Sequence, residues 1–331
     1  MSVRVGVVGL GHWGPNLARN FAGHGALAAL ADSRPDVLAR FGAQYPGAKT
    51  FSDLDSMLAA RAVDAVAIAT PAATHGTLAA KALAAGMHVF VEKPLCLDLD
   101  EARKLGAIAK DAGLTLMVGH LLLYHPAFTA LRSLVEAGRL GQLRYIYSNR
   151  LSLGKIRREE NALWSFAPHD VSMILALAGT MPRRVVTTGG NYLLTDVADT
   201  TLSHLTFPDG MQAHIFVSWL HPYKDHRLVV VGSEGMATFH DSEPEGRKLM
   251  FYPHAVGWDG ELPTVTKAAA EPVPYKAGEP LSLECRHFLD CVARQRTPRS
   301  DVTESLRVLG VLDACQRSLA SGEPISLEPK A

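Results

Sequence analysis

Two titratable side chains stand beside prolines and are the residues best suited to proton chemistry. Lys93 precedes Pro94 at the end of an apolar run, and His169 follows Pro168. Oxidation of a secondary alcohol needs a hydride acceptor near the C–H bond and a base within hydrogen-bond reach of the hydroxyl. We hypothesise that His169 accepts the hydroxyl proton while Lys93 orients the oxygen and stabilises its developing negative charge. The two roles are interchangeable, because interacting titratable groups share their apparent pKa values.

The prolines also define the backbone that we expect at both residues. Pro94 favours an extended conformation of Lys93 and makes a cis peptide bond feasible. Pro168 suits the first position of a helix, which would place His169 in the first turn, where the helix dipole keeps the imidazole neutral. The alternatives are a solvated lysine at a strand end and a histidine that serves only the core or a helix cap.

A glycine-rich turn near the N-terminus provides the expected site for the hydride acceptor. Gly9, Gly11 and Gly14 form a G-x-G-x-x-G pattern between an apolar strand and a helix. The first glycine permits a tight turn, the second lets the backbone approach a pyrophosphate, and the third allows close helix–strand packing. An ordinary strand-to-helix loop is the alternative interpretation of this pattern.

Asp32 distinguishes a nucleotide site from an ordinary loop. It ends the next apolar strand, about 20 residues on, where a carboxylate hydrogen-bonds the adenosine ribose hydroxyls. A carboxylate there also repels a 2′-phosphate, so the sequence favours NAD over NADP. Arg34 stands two residues later and weakens this preference, because an arginine can pair with a 2′-phosphate.

Further polar residues are candidates for holding a substrate. A loop before the predicted His169 helix carries three basic residues, Lys155, Arg157 and Arg158. Guanidinium groups suit a diphosphate, so this loop is a candidate diphosphate site. The alternative interpretation is a solvated basic loop that pairs with Glu159 and Glu160. Three more residues follow the last strand of the first domain and are candidates for lining a sugar pocket, with at least one of them structural. They are His120, Tyr124 and His125.

The elements that position these residues follow from the pattern of apolar runs. Between residues 3 and 118, short apolar runs alternate with segments of helical period, which is typical of βαβ units around a parallel sheet. The predicted strands are Val3–Val8, Ala26–Ala31, Ala65–Ala69, His88–Val91 and Thr115–Val118. The predicted helices are Pro15–Ala22, Pro35–Gln44, Leu54–Ala59, Thr74–Ala85 and Leu99–Asp111.

The pattern of apolar residues changes after Tyr124. Alternating runs between Arg184 and Phe251, joined by turn signals at residues 208–210 and 232–235, predict an antiparallel sheet. The other predicted elements are a helix over 126–137, a strand over 143–153, a helix over 169–177, an irregular loop over 253–280 and helices over 281–294 and 301–319. The fold class is therefore α/β followed by α+β, with an NAD-binding Rossmann domain of doubly wound parallel sheet at 1–121. A substrate-binding and oligomerisation domain on a large, mostly antiparallel open sheet follows at 122–331, and its terminal helices can pack back on the first domain.

Composition limits the classes of protein and partner. The chain has 331 residues, 47% hydrophobic and 20% charged, which suits two globular domains. Lys plus Arg equals Asp plus Glu at 33 each, so no global charge recruits nucleic acid or a membrane surface. Four cysteines without metal-ligand spacing are expected to be buried thiols, and no metal site is predicted. The absence of a signal-like or membrane-spanning stretch predicts a cytoplasmic protein.

Four motifs in order resemble those of the Gfo/Idh/MocA oxidoreductases. They are G-L-G-H-W-G at Gly9–Gly14, A-T-P-A-A-T-H at Ala69–His75, V-E-K-P-L at Val91–Leu95 and A-P-H-D at Ala167–Asp170. The similarity extends to the closing segment over Glu284–Leu319. The resemblance implies that Lys93 is the family's E-K-P lysine and that His169 is the histidine of its D-x-x-x-H pattern. Ser165 stands where that pattern has Asp, and it can orient a hydroxyl but cannot supply charge.

The motifs and the positions described above together give the candidate residues at each ligand. Those at the cofactor are Gly9, Gly11, His12, Trp13, Gly14, Asp32, Thr70, Pro71, His75, Glu92 and Lys93. Those at the substrate are His120, Tyr124, Lys155, Arg157, Arg158, Trp164, Ser165 and His169. Asp170 does not obviously replace the missing Asp, because on a helix it points about 100° away from His169.

The string Leu153–Asp170 resembles a narrower subgroup, which oxidises the 3-hydroxyl of UDP-N-acetylhexosamines or their uronates before a 3-amino group is installed. Two alternatives stay open. One is a dehydrogenase of a free sugar or inositol in the same family, which does not need the basic loop. The other is a non-catalytic NAD-binding regulator. The open face of an antiparallel sheet predicts a homodimer or homotetramer.

Overall fold

The computed structural model describes residues 3–327 and divides the chain into two compact units. The first unit contains the described residues up to Tyr124 together with Gly278–Leu306, and the second contains His125–Ala277 with the described residues from Arg307 onward. Among residues 3–327, no helix combines the length and the apolar character that a membrane crossing requires.

The elements up to Tyr124 alternate between strand and helix, as predicted. The strands are β1 (Val5–Val8), β2 (Leu27–Ala31), β3 (Lys49–Phe51), β4 (Ala65–Ile68), β5 (His88–Glu92) and β6 (Leu116–Gly119). The helices are α1 (Gly14–Gly23), α2 (Pro35–Gln44), α3 (Leu54–Ala59), α4 (His75–Ala84) and α5 (Leu99–Asp111), with 3₁₀ turns at Ala72–Thr74 and Leu121–Tyr124.

The remaining elements are dominated by strands. They begin with α6 (Pro126–Glu136), β7 (Leu143–Leu153), α7 (Ala162–Ala178), β8 (Arg184–Gly190), β9 (Thr200–Thr206), β10 (Gln212–Ser218), β11 (Leu220–Gly232) and β12 (Met236–His240). They continue with β13 (Leu249–Tyr252), β14 (Ala255–Asp259), β15 (Leu262–Thr266), β16 (Glu271–Pro272), α8 (Pro280–Arg294), α9 (Val302–Ser321) and β17 (Ile325–Ser326).

The first unit is built on a parallel six-stranded sheet in the order β3-β2-β1-β4-β5-β6. Every residue of β1, β4 and β6 is buried, which is the reason their sequences are continuous apolar runs. The edge strand β3 was not predicted, because Lys49-Thr50-Phe51 lacks such a run and is strand only through pairing with Ala29–Ala31.

Three phenylalanines join the sheet of the first unit to its helices. Phe21 of α1, Phe90 of β5 and Phe288 of α8 meet edge to face, with ring centroids 5.8–6.3 Å apart. All three side chains are fully buried. This packing holds α8 against the strand that ends in the E-K-P motif.

The second unit is built on a nine-stranded sheet in the order β16-β13-β12-β11-β7-β10-β9-β8-β17. β10 pairs in parallel with β7, and the other neighbours are antiparallel. Burial alternates along β9, where Ser203 and Leu205 are buried while Leu202 and His204 are exposed. The sheet therefore has one covered and one open face, and the predicted fold class is confirmed.

The segment after β13 differs from the predicted irregular loop. β14 and β15 form a hairpin in which Val256 pairs with Val265, and β16 pairs with β13. Gly260 adopts a φ of 60° at the hairpin turn. The prediction was wrong because the content of Gly, Pro and Ala hid a short alternation of apolar residues around a glycine turn.

A buried ion pair attaches α7 to the sheet of the second unit. Nε of Arg150 donates to Asp170 across 2.6 Å, with side chains 8% and 0% exposed. The hydroxyl of Ser148 also donates to Asp170. The acidic residue of the A-P-H-D motif therefore anchors α7 to β7. All four cysteines are buried and none forms a disulfide, as predicted.

We expect Asp170→Ala to lower the free energy of unfolding by about 3–5 kcal/mol, because it leaves the guanidinium of Arg150 buried without its counter-charge. The matched control is Asp313→Ala, which removes a 43% exposed partner of Arg317 and should cost much less. Urea denaturation followed by circular dichroism measures both. Equal losses in the two variants would show that the buried pair does not stabilise the second unit.

Candidate active site

The glycine turn between β1 and α1 has the shape of a phosphate cradle. Gly9 has a φ of 88°, and a Cβ there would lie 2.8 Å from Cγ2 of Thr70. A Cβ on Gly14 would overlap the carbonyl oxygen of Gly9, whereas a Cβ on Gly11 would meet no atom within 4 Å. The first and third glycines are thus required by packing, and the second faces open space beside a helix N-terminus. This arrangement fits the diphosphate of a dinucleotide.

Asp32 follows β2 and is held in its ionised form. Its Oδ2 accepts the backbone N–H of Leu10 at 2.7 Å, and its Oδ1 accepts Nε of Arg34 at 2.9 Å. The Arg34 side chain is the main reason that the pKa of Asp32 falls to about 2. The guanidinium of Arg34 is therefore turned onto the carboxylate, and the turn after β2 carries a permanent negative charge suited to ribose hydroxyls.

His75 connects the loops that follow β4 and β5. Its Nδ1 lies 2.7 Å from the carbonyl oxygen of Pro94 and its Nε2 lies 2.8 Å from that of Thr70. The residue is 2% exposed, and burial lowers its pKa. The neutral ring donates to one carbonyl at a time and holds Thr70 and Pro94 close together. Pro71 starts the intervening 3₁₀ turn, and the Lys93–Pro94 peptide bond is cis.

Several predicted residues surround Lys93 at the carboxyl end of β5. Burial raises the pKa of Glu92 to about 7, although the Lys93 ammonium and the Trp13 indole oppose the shift. Burial and the same ammonium lower the pKa of His120 to about 4. At neutral pH the site therefore combines a neutral His120 imidazole with a Glu92 carboxyl group near its midpoint. His12, also in the glycine turn, is exposed.

Tyr124 and His125 have structural contacts. The Tyr124 hydroxyl shares a 2.9 Å hydrogen bond with Ser300, and its ring lies against Arg299 and His287. Burial raises the pKa of Tyr124 far above its usual value. In the second unit, Nδ1 of His125 accepts the backbone N–H of Ala127 at 3.1 Å and caps α6. His125 is thus a capping residue, in line with the expectation that at least one of these residues is structural.

The helix that carries His169 begins earlier than predicted. Asn161 caps α7 by accepting the backbone N–H of Trp164 at 3.2 Å, so Pro168 lies inside the helix. His169 lies in the second turn of this helix. The prediction that His169 stands in the first turn, where the helix dipole keeps its imidazole neutral, was wrong. The asparagine cap satisfies the backbone N–H of Trp164, and the helix therefore starts at Ala162, six residues before Pro168.

Ser165 and His169 lie four residues apart and therefore share one face of α7. Ser165 is 6% exposed and His169 is half-buried. The Trp164 indole N–H donates to Oε1 of Gln316 at 3.1 Å, and Nδ2 of Asn161 donates to the same oxygen at 2.8 Å. Gln316 positions the start of this helix, and no local signal identified it because it stands more than 150 residues further along the chain.

The basic loop before α7 combines the two interpretations that the sequence left open. Lys155 and Arg158 are exposed, as a ligand-binding role requires. Nε of Arg157 instead lies 3.0 Å from Oε1 of Glu160, and the Arg158 backbone N–H donates to Glu159 at 3.1 Å. Glu159 and Glu160 therefore each have a partner within the loop, while the side chains of Lys155 and Arg158 face solvent.

Family models match both parts of the chain. Residues 3–120 match the oxidoreductase family with an NAD-binding Rossmann fold. Residues 128–238 match the GFO/IDH/MocA C-terminal domain.

Individual relatives cover nearly the whole chain. UDP-N-acetylglucosamine 3-dehydrogenase of Acidithiobacillus ferrooxidans is 30% identical over 93% of this chain and 94% of its own length. Its solved structure has a TM-score of 0.85, with 29% identity over 96% of this chain and 98% of that chain. Inositol 2-dehydrogenase of Rhizobium meliloti is 27% identical over 99% of this chain and 100% of its own. GenD2 from gentamicin A biosynthesis, solved in complex with NAD, has a TM-score of 0.85 with 25% identity over 99% of this chain and 97% of that chain.

We expect Gly11→Ala to leave thermal stability unchanged but to weaken NADH binding on the order of tenfold, because its methyl group projects into the cradle. Gly14→Ala should instead lower the melting temperature, because its methyl group overlaps the Gly9 carbonyl. Fluorescence titration with NADH and thermal melting separate the two effects. Unchanged NADH affinity in a folded Gly11→Ala variant would argue against this turn as the phosphate site.

Proposed function

Because this chain belongs to the Gfo/Idh/MocA family of oxidoreductases, we propose that it oxidises the 3-hydroxyl of a UDP-N-acetylhexosamine, either UDP-N-acetylglucosamine or its uronate. The product is the 3-keto sugar, which a 3-aminotransferase can consume. The observation that carries the proposal is the 30% identity to UDP-N-acetylglucosamine 3-dehydrogenase over 93% of the chain. The string Leu153–Asp170 and its exposed basic residues add support for a nucleotide sugar.

NAD is the proposed cofactor. The fit rests on the cradle at Gly11 and on the Asp32 carboxylate, whose pKa of about 2 keeps it charged. That charge repels a 2′-phosphate, and Arg34 is already paired with it at 2.9 Å. When bound, the nicotinamide supplies the hydride acceptor. The remaining cofactor contacts proposed from the first unit are Trp13, His12, Thr70, Pro71, His75, Glu92 and Lys93.

Side chains of the protein remove the proton of the substrate 3-hydroxyl in this proposal. We assign to His169 the removal of the 3-hydroxyl proton and to Lys93 the orientation of that oxygen and the stabilisation of its negative charge. Ser165 shares a face of α7 with His169 and can hydrogen-bond a neighbouring hydroxyl. The proposal requires Lys93 and His169 to reach the same substrate oxygen, and this convergence stays a prediction. His120, Tyr124 and Trp164 stay proposed substrate residues, alongside Lys155, Arg157 and Arg158.

We also propose that residues 1–121 bind NAD and that residues 122–331 bind the substrate and mediate self-association. The open face of the nine-stranded sheet exposes Tyr145 and Leu202, 43% and 45% accessible, which suits a homodimer or homotetramer. A free sugar or inositol is the second candidate substrate, supported by the 27% identity to inositol 2-dehydrogenase over 99% of the chain.

The decisive experiment incubates the protein with NAD and a panel of UDP-N-acetylglucosamine, its uronate, UDP-glucose, free N-acetylglucosamine and myo-inositol. We expect NADH absorbance and a product two mass units lighter only with the UDP-N-acetyl sugars. Lys93→Met and His169→Asn should each lower kcat by at least about 100-fold while NADH still binds. Turnover of inositol alone would identify the second candidate. Full activity in both variants would refute the assigned roles, and binding of NAD without any turnover would favour a regulator.

The basic loop provides a separate prediction. Arg157→Ala should raise the KM for the UDP-sugar by roughly 10- to 100-fold while leaving the KM for NAD near its wild-type value, because a diphosphate loses charge-assisted hydrogen bonds. Glu160→Gln is the matched control, since it breaks the same ion pair and keeps the guanidinium. If both variants change both KM values equally, the loop has only a structural role.

A further inference from the structure

Strand β11 leaves its ladder with β7 over His221–Lys224, which we call the β11 bulge. Leu220 pairs with Leu153 and Asp225 pairs with Leu151, so four residues of β11 stand opposite one residue of β7. Bulges of this kind are frequent next to active sites, where they redirect a side chain. The last three residues of the β11 bulge are exposed. The proposed mechanism uses none of these residues.

Tyr223 is the aromatic side chain that the β11 bulge exposes. It is 66% exposed. His221 supports it in two ways, because Nδ1 donates to the Tyr223 carbonyl oxygen at 2.8 Å and the two rings meet in a T-shape with centroids 4.3 Å apart. A ring that its neighbour already holds loses little conformational freedom when a flat ligand stacks on it. Tyr223 is therefore a preorganised surface for such a ligand.

The basic loop that carries Lys155 and Arg158 starts beside the β11 bulge. Leu153, two residues before Lys155, pairs with Leu220. The backbone N–H of Gly154 donates to the carbonyl oxygen of Trp219 at 3.3 Å. The basic loop and the β11 bulge therefore extend from the same end of two adjacent strands of the second unit.

A contact with α7 places the start of the basic loop near the helix that carries His169. A Cβ on Gly154 would lie 3.2 Å from Cζ of Phe166, so the glycine packs against that ring. Phe166 stands three residues before His169, and residues at this spacing are neighbours on a helix surface. Within the second unit, the basic loop thus lies between the β11 bulge and α7.

We propose that the β11 bulge and the basic loop form a site for a nucleoside diphosphate, in which the nucleobase stacks on the Tyr223 ring and the basic loop binds the diphosphate. Every nucleobase has a flat face that stacks on an aromatic side chain, and guanidinium groups suit phosphate oxygens. The order of base, diphosphate and sugar in a UDP-sugar matches the order of β11 bulge, basic loop and α7. The inference rests on the proposed function for the identity of the base as uracil. Tyr223 is then a residue that selects nucleotide sugars over free sugars.

The charge of this surface favours an anionic ligand over a second copy of the chain. The segments 155–160 and 221–224 together contain four Lys or Arg residues and two Glu residues. An isologous interface through the same surface would bring these positive charges together. A diphosphate instead complements them.

The site is tested first by calorimetric titration with UDP, with NADH absent and with NADH present. Tyr223→Ala should weaken UDP binding roughly tenfold, because the base loses its stacking partner, and Tyr223→Phe should retain the wild-type affinity. The matched control is Tyr192→Ala, which removes another exposed tyrosine of the second unit and should change nothing. Inorganic pyrophosphate, which has no base, should bind the wild type and Tyr223→Ala equally. The proposal is overturned if the wild type binds no UDP under either condition, or if a folded Tyr223→Ala variant binds UDP as tightly as the wild type.

Turnover separates this site from the proposed function. Tyr223→Ala should raise the KM for UDP-N-acetylglucosamine roughly tenfold while kcat and the KM for NAD stay near their wild-type values. Oxidation of the UDP-sugar with an unchanged KM would overturn the site and leave the proposed function standing. Turnover of inositol alone would refute the proposed function, and the UDP titration would still decide whether the site exists. A change of oligomeric state in Tyr223→Ala, measured by light scattering, would show that a second copy covers the ring and would overturn the proposal.

Discussion

The close approach of α1 to β1 is the constraint on which the cofactor half of the protein depends. The carbonyl of Gly9 leaves no room for a side chain at residue 14, and the turn between them leaves space at Gly11. This geometry presents backbone N–H groups and a helix N-terminus to one point at the edge of a parallel sheet. Asp32 completes the site because its carboxylate accepts the Leu10 N–H of the same turn.

Burial determines the charge of the groups around Lys93. Desolvation keeps His120 neutral and brings Glu92 close to its midpoint at neutral pH. In the second unit, the buried Arg150–Asp170 pair plays a different part, since it fixes α7 and thereby the helix face that carries His169.

The parts of the fold that were predictable are those in which local pattern and tertiary environment agree. The strands of the parallel sheet are apolar because both faces are buried, and the turn after Thr206 has its own glycine signal. The start of α7 was predicted wrongly, because a proline suggested one boundary while the Asn161 side chain created an earlier one. The hairpin around Gly260 was missed because the Gly, Pro and Ala content of this segment predicted a loop, although apolar residues alternate over a few positions on either side of the turn.

The sequence by itself determined the family motifs, the order of most strands and helices, and the candidates Lys93, His169 and Asp32, because these depend on residue type and on local spacing. Only the tertiary structure revealed the burial of Glu284, the Gln316 contact to Asn161, and the engagement of Asp170 by its arginine. Burial and hydrogen bonding between residues far apart in the chain determine protonation and anchoring, and no local pattern encodes them.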